Sequence, residues 1–401
     1  MAKRKIQKPT RFERMYKVWD YLRKNTDRRH PTSIAKMRKD ENINAYIGDK
    51  ETINRLLKDM ANIMNLEDGG SDYKPEAEWR LYFDDFKKFY GDKERYERDD
   101  YDEDDSYIAN VMRIKNLYYN RTFSEKEVDS IIEGIMATRT LDSKSAQELV
   151  RKVEDNMTTA FYKRTPRHIC KVQEPELADR ELLKDNLAII QKAIDDNVRI
   201  QFRFNGYSYE KKLEPVRAEM DELSPYYIAA SGGKYYLLAA KEYEGYKPNM
   251  SIWRIDLMTD IEIPGRNDRL HIKGIPRIPK KNVSNLPEKW SEDFQLKHLN
   301  MSFDKPVFVT LRIKSEKCED NPKKRVRPGY TFLHDWFGDS FTYIRTETKP
   351  PYDDIVRVEC SPYGMAHWAL QYSELVEVLE PESLREDIKS KIKALNEKYS
   401  L

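Results

Sequence analysis

The hydrophobic period changes along this chain, and no single layer of structure can satisfy both of its values. From Phe12 to Ile63 apolar residues recur every three or four positions, whereas from Val198 to Met258 they alternate. The first spacing lays one stripe along a helix and the second lays one face on a strand. A chain of 401 residues that carries both is expected to be a multidomain α+β protein, with room for two to four domains. Its apolar fraction of 39% is low and its charged fraction of 35% is high. That balance suits several small domains with large solvated surfaces better than one large core.

The first 66 residues read as three helices. "RFERMYKVWDYLRKN" sets Phe12, Met15, Tyr16, Trp19 and Leu22 on one stripe. "PTSIAKMRKD" is a short second helix that Thr32 can cap, and "ENINAYIG" is a polar connection. In "DKETINRLLKDMANIMN", Asp49 is the N-cap, and Ile53, Leu56, Leu57, Met60 and Ile63 face inward. "EDGGSDYKPEAEWRLYF" then reads as a β-hairpin built on the Gly69–Gly70 turn signal, a wing behind the helices. Together these make a winged helix-turn-helix domain over residues 1–83. A charged, tyrosine-rich insertion at 84–106 includes "DDYDEDD". Helical periodicity returns over 107–180, where Ser124 and Glu127 stand in capping-box spacing.

Residues 181–264 open with an amphipathic helix and continue as about five short strands, which suggests a small SH3-like (Sm-like) β-barrel. "VRIQFRFNGYSYEKKLEPVRAEM" reads as two strands around a turn at Asn205–Gly206. "SPYYIAASGGKYYLLAAKEY" supplies two more strands, and "SIWRIDLM" the fifth. Residues 265–305 form a loop-rich connector. Residues 306–401 mix strands and helices into a C-terminal α/β domain.

This order resembles the WYL-domain transcriptional regulators of bacteria, which join a winged helix-turn-helix, a helical linker, a WYL domain and a C-terminal extension (WCX-like here). In place of the family's Trp-Tyr-Leu stand Tyr235, Tyr236 and Leu237. The later signature, an aromatic residue followed by Arg-Leu-Asp-Arg, reads Trp253, Arg254, Ile255, Asp256 and Leu257, so the second arginine is replaced by leucine. An upstream basic–apolar–proline alternation matches Lys211, Leu213 and Pro215, and "LVEVLEPESLRED" resembles the family's ending. The resemblance covers roughly residues 10–395, apart from the acidic insertion. It implies that the β surface binds a regulatory ligand, often a nucleic acid or a nucleotide.

Charge points the same way. Residues 1–40 hold 14 Lys and Arg against 4 Asp and Glu, although the whole chain carries only +2. A basic block of this kind is the electrostatic footprint of nucleic-acid binding; a plain solvated helical surface is the alternative. Base readout needs long polar side chains on the outward N-terminal part of the third helix. With the apolar positions inward, those are Lys50, Thr52, Asn54, Arg55 and Lys58. Arg55 suits a guanine edge and Asn54 an adenine edge. Lys50, Thr52 and Lys58 suit phosphates, as do Arg28, Arg29, Lys36 and Arg38 on the first two helices. On the β domain, strand alternation places Tyr236 with Arg254 and Asp256 opposite the core face, with Arg203, Lys211 and Lys212 nearby as cations for an anionic ligand. The competing reading makes Tyr236 core and pairs Arg254 with Asp256.

Catalytic chemistry finds little support. Six histidines form no HxH or HExxH spacing, and there is no P-loop or GxGxxG. Neither an enzyme nor a metal or other cofactor is expected. Cys170, Cys318 and Cys360 stand far apart, and no signal peptide or membrane-length apolar run is visible, so a cytoplasmic setting and no membrane partner are expected. The leading reading is a ligand-responsive regulator that binds a double-stranded DNA operator as a homodimer. The second is a single-stranded nucleic-acid (RNA)-binding accessory protein of a CRISPR or phage-defence system, which competition between duplex and single-stranded probes would separate.

Overall fold

A computed structural model describes residues 8–67, 74–84, 114–138, 140–164, 180–314, 317–318, 321–325 and 329–399. The chain divides into two compact units, Met1–Glu174 and Pro175–Leu401. In the first, α1 (Arg11–Asn25) starts in a capping box of Thr10 and Glu13. Next come α2 (Ile34–Lys39), a short α3 (Asn44–Ile47) and α4 (Lys50–Asn65). Ser33 rather than Thr32 caps α2, because Thr32 is engaged in a β-bridge to Leu117. The polar connection contains α3 because its two isoleucines, Ile43 and Ile47, are buried. Gly48 then turns the chain at φ +68, where a Cβ would stand 2.5 Å from an Arg14 Nη1. Asp49 caps α4 by accepting the Thr52 N–H at 2.7 Å.

The inward faces are narrower than periodicity implies. Val18 and Leu22 are buried on α1, but Phe12 is 78% exposed and Tyr16 is exposed as well. On α4, Ile53, Leu57 and Met60 are buried while Ile63 is exposed. The two-residue strand β1 (Leu81–Tyr82) pairs antiparallel with β2 (Tyr118–Tyr119). The stretch at Gly69–Gly70 and the acidic insertion beyond Asp84 lie outside the described residues. Ile114 and Leu117 join the same core as Val18, Leu57 and Trp79.

Two buried polar side chains fix this arrangement. Asn65, at the end of α4, donates to the Leu81 carbonyl at 2.7 Å and accepts the Arg80 and Leu81 N–H groups at 2.8 and 3.1 Å. Thr26, at the end of α1, accepts the Tyr119 N–H at 3.0 Å. Beyond them, α5 (Glu125–Ala137) opens with the expected Ser124–Glu127 box and packs on α6 (Ser143–Met157) through Val128, Ile132, Val150 and Val153.

The second unit begins with α7 (Arg180–Asp196). The strands β3 (Ile200–Tyr207), β4 (Leu213–Pro215), β5 (Asp221–Ser231), β6 (Lys234–Ala240) and β7 (Met250–Arg254) follow, in the order β4-β3-β5-β6-β7. Asn205 and Gly206 lie within β3 rather than in a turn, because Asn205 is buried and donates to the Leu257 carbonyl and the Thr259 hydroxyl, both at 3.0 Å. The chain reverses instead at Ser208–Lys212, with Lys211 at φ 63. "SIWRIDLM" is likewise not one strand. It breaks after Arg254 into a helical turn, Ile255–Leu257, and β8 (Met258–Glu262) returns to pair with β3. One face of the sheet meets α7 through Leu183, Ile190, Ile200, Phe202 and Leu237. The connector folds over the other face, where Phe294 and Met301 pack with Ala229, Leu238 and Met250.

The last domain has β9 (Val307–Ile313), a short pair β10 (Lys317–Cys318) and β11 (Asn321–Arg325), α8 (Thr331–Phe337), β12 (Thr342–Thr346), β13 (Asp354–Cys360), α9 (Pro362–Gln371), β14 (Val376–Glu380) and α10 (Glu382–Tyr399). Its main sheet runs β12-β13-β9-β14. Leu333, Phe337, Met365, Trp368 and Leu384 cover one face.

Asn65→Ala should lower stability by about 2 kcal/mol, since it strands buried backbone groups of β1; an unchanged urea midpoint would contradict this. His298 offers a pH test. Burial holds its imidazole below the ordinary 6.5, although the ring bonds the Ser302 carbonyl at 2.7 Å. Protonation therefore costs more in the folded state. Its contribution should be intact above about pH 6.5 and lost as pH falls toward the lower folded value. Thermal melts from pH 7.5 to 5.5 should show a steeper decline for the native chain than for His298→Gln.

Candidate functional site

The first candidate surface is built on α4. Lys50 is exposed at its start, and Thr52 and Lys58 are half-buried. Arg55 is half exposed and pairs with Glu51 at 3.0 Å, one helical turn away. A solvated pair of this kind contributes only ~0.5 kcal/mol, so a phosphate or a guanine edge can displace it at little cost. Asn54 differs from the sequence reading. It is fully buried, on the stripe of Leu57 and Ala61, and so presents no amide to a base edge. Lys36 and Arg38 are exposed on α2, and Arg38 also donates to the Gly48 carbonyl at 3.2 Å. Arg14 reaches the Tyr46 carbonyl at 3.3 Å. Two arginines thus hold the turn that aims the start of α4. Arg28 and Arg29 are exposed beyond α1. Hydrogen bonds from the backbone and hydroxyl of Thr52, with Arg14 and Arg38 nearby, hold the Asp49 carboxyl below its ordinary range.

The second candidate surface is on the β domain. Tyr236 lies directly across from Arg254 in the β6–β7 pairing, and Leu237 across from Trp253. Leu237 and Trp253 belong to the core on the α7 side, as alternation requires. Tyr236 is half-buried against the cluster of Leu238, Met250 and Phe294, so the connector covers part of a face that alternation alone leaves open. Arg254 donates from Nε and Nη2 to the two oxygens of Asp256, at 3.1 and 2.5 Å. Asp256 is buried, whereas the arginine side chain keeps 30% of its exposure. Burial pulls the Arg254 guanidinium down, but Asp256, Tyr236 and Tyr207 together lift it above its ordinary value, so it stays charged.

The turn that presents Asp256 is itself held by buried amides. Asn186 of α7 donates to the Ile255 and Met258 carbonyls, at 3.2 and 2.8 Å, and Asn205 to that of Leu257. The other expected cations stand elsewhere. Arg203 pairs with Asp260 at 3.4 Å and donates to the Ala218 carbonyl at 3.0 Å. Lys211 is exposed in the hairpin turn, and Lys212 pairs with Glu210 at 2.7 Å. Sequence reasoning overlooked Tyr207, which shares strand parity with Arg203. It also overlooked Arg217, whose guanidinium lies 5.9 Å from the Trp253 ring centre and pairs with the buried Asp221 at 3.3 Å. No spacing in the sequence links Arg217 to Trp253. Among the described residues no group of His, Cys, Asp and Glu could hold a metal ion, and no helix is long and apolar enough to cross a membrane.

In the last domain, residues of α8, α9 and α10 share one core with the four-stranded sheet. Residues 305–395 match the WCX domain, which bears out the resemblance at the C-terminal extension. Two solved structures are similar to the chain. Proteasome accessory factor B/C (PafBC) of Arthrobacter aurescens is 16% identical over 72% of this chain, with a TM-score of 0.21. This chain spans 40% of that protein. A CRISPR Cas-related protein is 13% identical over 70% of this chain and 76% of its own, with a TM-score of 0.29. No match was found among curated proteins.

Arg254→Ala should destabilise the protein by about 3 kcal/mol, because it leaves the Asp256 carboxylate buried without its cation. Asp256→Asn should keep the fold and release the guanidinium for an added anion. A native urea midpoint in Arg254→Ala would rule out the structural part of this assignment.

Proposed function

We propose that the chain is a DNA-binding transcriptional regulator of the WYL type, with a winged helix-turn-helix at its N-terminus and a nucleic-acid or nucleotide-like ligand at its β domain. The observation that carries this is the order of elements in the first unit. Thr32, between α1 and α2, bridges to Leu117, and β2 continues into a pairing with β1 directly after α4. A bridging strand between the first two helices and a strand pair behind the third is the plan of a winged helix. It leaves the start of α4 outward for the major groove. In this reading the acidic insertion lies between the two wing strands.

On this proposal Arg55 reads a base edge, while Lys50, Thr52, Lys58, Lys36 and Arg38 bind phosphates. Asn54 has no part in recognition. The β domain is an SH3-like barrel whose ligand meets Tyr236, Tyr207 and Arg254, and a homodimer places two copies of α4 on paired half-sites. Ligand binding favours one dimer geometry by differential affinity.

The test is an electrophoretic shift of the full chain on the duplex upstream of its own gene. Lys50→Ala/Arg55→Ala should weaken binding at least tenfold and flatten the salt dependence by about one to two units of slope. Absence of duplex binding at low salt, or native affinity in the double variant, would sink the proposal.

A further inference from the structure

The helix α10 outruns the core on which it starts. Its first turns are anchored. Leu384 is buried and Ile388 packs against the same core. Arg385 donates to the Val378 carbonyl at 3.1 Å and to Glu377 at 2.8 Å. From Ile392 to Tyr399 every residue is exposed, over about two turns. Those turns stay helical on local terms. Lysine, alanine, leucine and glutamate are good helix formers. Lys391 pairs with Asp387 at 2.8 Å and Lys389 with Glu386 at 2.5 Å, each within one turn.

The exposed part nevertheless carries an apolar stripe. Ile388, Ile392, Leu395 and Tyr399 follow at spacings of four, three and four, which sets them on one face. Ile392 is 52% exposed, Leu395 45% and Tyr399 75%. This is the seam of a helix that a second helix closes. The charges beside the seam narrow the choice of that second helix. At 100° per residue, Lys391 and Lys398 line one edge and Lys389 and Asn396 the other, while Glu397 falls on the back. Neither edge of these exposed turns carries a carboxylate. Lys393 and Lys398 have no carboxylate partner among the described residues, and the Lys398 Nζ lies 5.8 Å from the Tyr399 ring centre. The pairs of Lys389 and Lys391 are solvated and exchange at little cost. A second copy of α10 supplies no counter-charge. Laid antiparallel it sets lysine edge against lysine edge, and laid parallel it sets Lys391 against Asn396.

We propose that this stripe is the docking surface for an acidic amphipathic helix of another protein. That helix lays its own apolar seam on Ile392, Leu395 and Tyr399 and sets its Asp and Glu residues along the lysine edges. The apolar contact supplies the affinity, and the lysines select the partner and its register. The stripe shares no residue with α4 or with the Tyr236–Arg254 pair, so it stands or falls independently of the proposed operator and ligand.

The experiment is fluorescence anisotropy of the full chain with two labelled synthetic peptides of three heptads. Both carry leucine along the seam; one carries glutamate and the other lysine along the edges. The glutamate peptide should bind about tenfold more tightly or better, and its affinity should fall as salt is raised. Ile392→Ser/Leu395→Ser should weaken it by about tenfold or more and leave the melting temperature near that of the native chain, because both side chains are already solvated. Lys391→Glu/Lys398→Glu should turn the preference toward the lysine peptide. Equal or absent binding of the glutamate peptide would overturn the assignment, as would native affinity in the serine variant or a preference unmoved by charge reversal. Two further results would reassign the stripe. Binding to phosphatidylglycerol vesicles that the serine variant loses, with no binding of the glutamate peptide, would make it a membrane contact. A fall in mass of the serine variant by light scattering would make it a contact between copies.

Discussion

Backbone groups that leave regular structure inside a protein still need hydrogen-bond partners, and here buried asparagines meet that demand at the places where the fold changes direction. Asn65 bonds both the carbonyl and the N–H of Leu81, so the end of α4 and the strand β1 are one construction. Asn186 and Asn205 take the carbonyls of Ile255, Leu257 and Met258, where one strand stops and the next begins. An amide carries both a donor and an acceptor and can stand in for a missing strand partner. Each candidate surface hangs on one of these points. The strand pair behind α4 depends on Asn65, and the Asp256–Arg254 pair sits in the turn gripped by Asn186 and Asn205.

The two candidate surfaces differ in how firmly their charges are held. Arg55 meets its partner in solvent, where the pair contributes little and exchanges easily with a phosphate. Arg254 meets a buried carboxylate, so its geometry is set by the fold and its charge is partly spent inside the protein. Asp256 orients the guanidinium, and the tyrosines at 207 and 236 stand beside it. The loss of a second arginine at Leu257 fits this picture, since that position is buried in the turn rather than displayed on a strand.

Much of the architecture was legible as periodicity. The long helices at each end of the chain, the caps at Asp49 and Ser124, and the partnership of Tyr236 with Arg254 follow from spacing of 3.6 or 2. Illegible features share a cause: they depend on residues far apart in sequence. Phe12 and Ile63 continue an apolar stripe but face outward, because a stripe cannot say how far the neighbouring element extends. Asn54 is polar and looks outward by type, yet it lies on the stripe of Leu57. Tyr119 lies far from Leu81 in sequence, so no local spacing links the two strands that pair there.

The sequence by itself determined the long helices and most of the strands, where the charge is concentrated, and the resemblance that the WCX match at residues 305–395 bears out, because these follow from local spacing, composition and short ordered motifs. Only the tertiary structure decided that Asp256 is buried against Arg254 and that the connector covers part of the Tyr236 face. Burial and charge matching are properties of neighbours in space, and a strand's alternation leaves open which of its two faces another element will cover.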